Sequence, residues 1–172
     1  MAATLTALAG TISTSVSLTA KQTETDGTIE QAPVSHSSAQ AITFGTGAGK
    51  ANELYATLLT IAGGGNTSLD LQALAATLGR TASLDVFKGI QIINTSTVAD
   101  CILSVGASGG NEFSAWVGAT GDILKIPAGW SFLLAGADAS GLTVDATHKV
   151  LKIANAGAGS ATLKIVIYGE SS

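Results

Sequence analysis

Charge is scarce in this sequence. Only 12% of its residues are Asp, Glu, Lys or Arg. The basic side chains (Lys21, Lys50, Arg80, Lys88, Lys125, Lys149, Lys152, Lys164) stand singly, so no basic stripe forms to attract phosphates, which argues against a nucleic-acid partner. Cys101 is the one cysteine, which excludes an intrachain disulfide. His36 and His148 are the only histidines, and without a His-x-x-x-His or Cys-x-x-Cys pair a zinc site has no support. Long apolar runs are also missing. The longest uncharged, apolar-leaning stretch, Ile126 to Ala137, is broken by Pro127 and Gly129 and falls short of the roughly 18–20 residues that span a bilayer. Met1 to Gly10 has neither a basic start nor a continuous apolar core, so no secretory signal is read there, although Ala7-Leu8-Ala9 mimics a cleavage box. Without such a signal, the sequons at Asn66 and Asn94 read as turn residues.

What the sequence has is small neutral residues and alternation. Mean hydropathy is positive although no segment suits a membrane, so we read a surface of Ala, Gly, Ser and Thr over buried strands. A surface so poor in charge suits a protein packed against other subunits. Ile12, Thr14, Val16 and Leu18 alternate with serines and a threonine, the pattern of a half-buried strand. Lys21 to Gln40 is polar and reads as a long hairpin or arm. Ile42-Thr43-Phe44 reads as a short strand. Residues 52–62 fit either helix or strand, and the β-rich context favours strand. Gln72 to Leu78 suggests one short helical turn. Phe87 to Asn94 predicts a strand buried on both faces. Further strands are predicted around Cys101-Leu103-Val105, Phe113-Ala115-Val117, Leu124-Ile126, Trp130-Phe132-Leu134, 150–153 and 163–168, with Pro127-Ala128-Gly129 as a turn. The expected fold is therefore all-β: an antiparallel sandwich, jelly-roll-like, of about eight to ten strands with little helix. Residues 1–40 are expected to form an N-terminal strand, arm and polar hairpin, and residues 41–172 the sandwich, as one structural unit.

Candidate chemistry fails at named positions. Gly45-Thr46-Gly47-Ala48-Gly49-Lys50 resembles the end of a phosphate loop, but Phe44 stands where the first Gly belongs and Ala51 where Ser or Thr should follow the Lys. Gly106-Ala107-Ser108-Gly109-Gly110 matches a nucleophile elbow in letters, with Asp122, Asp138 or Asp145 and then His148 following in hydrolase order. That mechanism needs a strand-to-helix turn above a parallel sheet, and the residues after Ser108 alternate like a strand. The acids at 122, 138 and 145 lack the dense oxygen run of a calcium loop and read as turn residues. Cys101 reads as a core thiol. Trp116, Trp130, Tyr55 and Tyr168 are either core or interface aromatics or a sugar-stacking platform. The expectation is a non-enzyme with no cofactor and no metal.

Segments in order carry a resemblance. They are Gly45-Thr46-Gly47-Ala48-Gly49-Lys50-Ala51-Asn52, Leu69-Asp70-Leu71 and Lys88-Gly89-Ile90-Gln91-Ile92-Ile93-Asn94, then Ile126-Pro127-Ala128-Gly129 before Trp130-Ser131-Phe132-Leu133-Leu134. Val150-Leu151-Lys152-Ile153-Ala154-Asn155 and Ile165-Val166-Ile167-Tyr168-Gly169 close the series. Over roughly residues 42–170 the chain resembles small structural proteins of tailed bacteriophages, of the head decoration or cement kind. The resemblance implies a virion protein on the capsid surface, made in the host bacterial cytoplasm. Its implied partners are the major capsid protein and further copies of itself, as a homotrimer or homodimer, with no nucleic acid and no membrane. A tail, fibre or baseplate protein is the alternative within that group, and a carbohydrate-binding sandwich is the alternative outside it.

Overall fold

The computed structural model describes residues 6–23, 29–75, 80–136 and 138–172. Its strands in chain order are β1 (Ala9–Thr23), β2 (Ile29–Phe44), β3 (Lys50–Ala51), β4 (Glu53–Ile61), β5 (Asn66–Asp70), β6 (Leu74–Ala75), β7 (Thr81–Ala82), β8 (Val86–Asn94), β9 (Leu103–Gly106), β10 (Ile123–Ile126), β11 (Ser131–Ala135), β12 (Leu142–Thr143), β13 (Val150–Asn155) and β14 (Ala161–Glu170). No helix occurs among the described residues. The expected helical turn after Asp70 is instead a tight turn, Ala73 N donating to Asp70 O at 2.9 Å, that leads into β6 and its pairing with β7. Residues 76–78 of that expectation lie outside the described residues.

Nine strands form two facing antiparallel sheets. One has the order β4-β14-β8-β11, with β12 added to β8, and the other the order β10-β9-β13-β5. Each consecutive pair β4/β5, β8/β9, β10/β11 and β13/β14 is split between the two sheets. This is the strand order of a jelly roll, in which two Greek keys close over one core.

Register explains the core. Across the larger sheet, Tyr55, Ile167, Ile90 and Leu134 form one inward row, and Thr57, Ile165, Ile92 and Phe132 the next. Opposite them stand Ile153, Val105 and Leu124, and then Asn155, Leu103 and Ile126. Because side chains alternate across a strand, the period-2 pattern alone decides which residues meet in this layer. Cys101 lies in the same cluster, fully buried. Burial raises its thiol pKa, and the neighbouring Asp100 carboxylate adds to the rise.

Polar staples close both ends. At one end, Asn94 donates from Nδ2 to Cys101 O (2.8 Å) and Ile126 O (3.0 Å) and accepts from Ser96 N. Asn155 donates to Gly159 O (2.7 Å) and Ile61 O (3.2 Å) and accepts from Gly157 N. Asn94 is thus a buried core residue, which corrects its reading as a turn residue. In the same region, Pro127-Ala128-Gly129-Trp130 is a turn closed by Trp130 N donating to Pro127 O, with Gly129 at φ 78°, a conformation only glycine adopts without strain.

At the other end, much of the scarce charge is buried. Arg80 pairs with Glu53, and Lys88 pairs with Glu170 at 3.4 Å while donating to the carbonyls of Asp138 and Ala139. The register of β14 on β8 shifts between Tyr168 and Gly169, leaving Lys88 as the unmatched residue of a bulge. Buried Glu112 accepts from Ala107 N (2.8 Å) and Gly121 N (3.1 Å), stapling two loops together. Phe113 to Val117 was expected to be a strand, but it forms a turn in which Val117 N and Gly118 N both donate to Ser114 O. Phe113 drops into the core against Phe87, centroids 5.0 Å apart, and that anchor overrides the alternation.

Candidate interaction surface

The most distinctive feature is the ribbon made by β1 and β2. Its register runs unbroken from Ala9 opposite Thr43 to Thr23 opposite Ile29. β2 therefore passes through residue 40 without a break, and Ile42-Thr43-Phe44 is the end of a 16-residue strand. Serine, threonine and alanine make up about half of the two strands, which beyond their base have neither face covered. Every side chain described from Ser13 to Lys21 and from Gln31 to Ala39 is exposed.

The ribbon still has two different faces. Ile12, Thr14, Val16 and Leu18 lie on one side, and their cross-strand partners are Gln40, Ser38, His36 and Val34. The other side carries Ser13, Ser15, Ser17 and Thr19. On the first face Val16, Leu18 and Val34 are 52%, 64% and 59% exposed. An isolated two-stranded ribbon is marginal in water, so an apolar face left uncovered here is costly.

At its base the same face is seated on the sandwich. Ile12, Leu8 and Leu54 pack around Ile42, Ala51 and Tyr168. Gln40 donates from Nε2 to Gly136 O at 2.9 Å. A cleft of about 340 Å3 separates Thr11, Ile12 and Ser13 from Gln91, Leu133, Val166 and Tyr168. The base therefore rests on the outer face of the β4-β14-β8-β11 sheet. Beyond this footprint the outer face continues as the row Leu58, Lys164, Ile93 and Ser131, and Leu58 is 62% exposed.

The four aromatic candidates do not form one platform. Tyr55 is buried in the inward row. Tyr168 points outward from β14 yet is buried beneath the ribbon base and against Gly89. Burial pushes its phenol up to about 12, slightly opposed by the nearby Gly136 backbone. Its hydroxyl has no hydrogen-bond partner among the described residues. Trp116 is half-buried, tilted against Phe132 with centroids 5.8 Å apart, and its Nε1 donates to Phe113 O. Trp130 alone is open, 66% exposed at its turn.

The chemical motifs are occupied within the chain. In the Gly45–Lys50 loop the Gly47 amide donates to the Glu170 carboxylate at 2.6 Å. Ser108 Oγ donates to Gly110 O, and Ala107 beside it has φ 51° in a loop held by Glu112. Asp138 and Asp145 accept backbone N–H groups three and two residues further on, the geometry of Asx-type turns, and Asp122 accepts from the Ala119 N–H three residues before it. The bonds to Thr147, with a smaller part from His148, lower the Asp145 carboxyl to about 2. His148 is exposed on that loop beside Asp145, and His36 is exposed on the ribbon. Among the described residues no cluster of His, Cys, Asp or Glu is placed to hold a metal.

Sequence reasoning did not single out Val34, Leu58 or Gln40 as surface candidates. Val34 and Leu58 are ordinary strand residues whose exposure depends on which sheet face the ribbon covers. No family model and no curated protein matches this chain. Among solved structures, a mitogen derived from Yersinia pseudotuberculosis superposes with a TM-score of 0.36 at 16% identity, covering 69% of this chain and 87% of that one. So loose a likeness carries no argument about function.

Proposed function

We propose that this chain is a non-enzymatic structural protein of a tailed-phage particle. In this reading it binds the outer head surface as a decoration or cement protein and stabilises joints between major capsid subunits. The observation that carries the reading is the exposed two-faced ribbon on a jelly-roll body, in a chain whose ordered segments resemble that group of proteins. A ribbon with an apolar face and no cover of its own is suited to burial against a neighbouring subunit. Symmetry then multiplies contacts that are individually weak, because each added site on one lattice binds at high effective concentration. The buried staples leave the sandwich rigid, so binding does not have to order the body.

The test is to purify particles and count this chain by quantitative mass spectrometry against the major capsid protein. A decoration protein is present in a fixed ratio to capsid subunits, in hundreds of copies. A few copies per particle point to tail, fibre or baseplate, and absence from particles refutes the virion role.

A further inference from the structure

We infer that the apolar face of the β1–β2 ribbon docks on the outer face of the β4-β14-β8-β11 sheet of a second copy, with the two copies exchanging ribbons reciprocally. This deepens the self-association part of the proposed function and rests on that part alone.

Both halves of the contact are in one chain. Ile12 and Gln40 already seat the ribbon's base on this sheet face, by apolar packing on Tyr168 and by the bond to Gly136 O. Past that footprint the ribbon face continues with exposed Val16, Leu18 and Val34 beside His36 and Ser38, and the sheet face continues with exposed Leu58, then Lys164 and half-buried Ile93. A second copy supplies each with the kind of surface that its neighbour in sequence already uses.

Size supports exchange over a single contact. The strand from Ser13 to Lys21, at about 3.4 Å per residue and paired at about 4.8 Å, presents a ribbon face of roughly 300 Å2. One docked ribbon then buries roughly 600 Å2 in total, too little for a stable pair, whereas two reciprocal ribbons bury about 1,200 Å2, where stable interfaces begin. Reciprocal exchange is also isologous and closes on itself, so it ends at a defined oligomer.

The experiment uses the purified full chain without particles. Light scattering after size exclusion, at about 100 μM, is expected to give a dimer. Two variants separate the halves: Leu18→Lys with Val34→Glu makes the ribbon face charged while keeping a favourable cross-strand pair, and Leu58→Asp disables the sheet face. All three positions are exposed, so circular dichroism and melting should match the wild type. Each variant alone is expected to be monomeric. Mixed together they hold one intact ribbon-on-sheet contact, too small for a stable pair, so the mixture is expected to stay monomeric by light scattering. A chemical cross-linker is expected to join the two variants to each other and neither to itself. A monomeric wild type overturns the inference, as does an oligomer that survives either variant. A mixture in which no cross-link joins the two variants overturns the ribbon-on-sheet contact. None of these outcomes bears on whether the protein sits on heads, which the copy count decides separately.

Discussion

Replacing Gly89 with alanine tests how the ribbon is anchored. Gly89 sits on β8 directly opposite Tyr168 of β14. A Cβ there would lie 2.4 Å from Tyr168 Oη and 2.5 Å from Cε1 and Cζ, closer than carbon atoms approach. The ring cannot tilt away freely, because Ile42, Ala51, Leu8, Ile12 and Leu54 pack around it. Overpacking of this kind costs about 1–3 kcal/mol. Alanine recovers part of that, roughly 0.4–1 kcal/mol, by restricting the unfolded chain. The net loss is then about 1–2 kcal/mol, or roughly 2–8 °C in Tm for a chain of this size. Urea unfolding followed by circular dichroism measures it, with Tyr168→Leu and the double variant completing a cycle. Removing the ring removes the clash, so the double variant should be more stable than the sum of the single effects by at least about 1 kcal/mol. Additivity within about 0.5 kcal/mol would refute the argument. The displaced ring should also loosen the ribbon's base, so limited proteolysis between residues 9 and 44 is expected to quicken in Gly89→Ala.

Other expectations follow from the same structure. Asn155→Ala strips partners from buried carbonyls and should cost about 2–4 kcal/mol in urea unfolding, since each orphaned buried group costs about 1–3 kcal/mol. Because the folded-state pKa of Tyr168 is raised to about 12 from an ordinary 10, its neutral form is favoured in the fold. That contribution is whole below pH 10 and is lost as pH rises through 12. Tyr168→Phe should therefore flatten the fall in stability over this window, measured by denaturation at stepped pH. Trp130→Ala should change stability by less than about 0.5 kcal/mol and remove most of the acrylamide-quenchable fluorescence, leaving the shielded signal of Trp116.

Sandwich strands were legible where local alternation and burial agree. In β13 and β14 the apolar residues fall at every second position and point into the core, so pattern and structure coincide. The Pro127–Gly129 turn was legible for a chemical reason, since Gly129 must take a positive φ. The ribbon was legible only in part. Its alternation at Ile12 to Leu18 marked a strand, but β2 offers few apolar residues to periodicity because both of its faces are open from Pro33 to Ala39. Phe113 misled in the opposite sense, because one buried ring anchors a turn that reads locally as a strand. The buried polar groups were not legible at all. Lys88 and Asn94 reach partners tens of residues away, Glu112 ties together two loops on either side of it, and no local signal names a carbonyl such as Ile126 O or a bulge such as that at Lys88. Surface candidates suffer the same limit, since Tyr55 and Tyr168 share a sheet but face opposite ways, and only register tells which face is covered.

Imaging of intact particles with this chain located, by a tag or by difference from particles that lack it, tests the central claim most directly. The account predicts symmetric density over the joints between major capsid subunits, with ribbons reaching between neighbouring copies. Density confined to the tail, or particles unchanged without the chain, would contradict it.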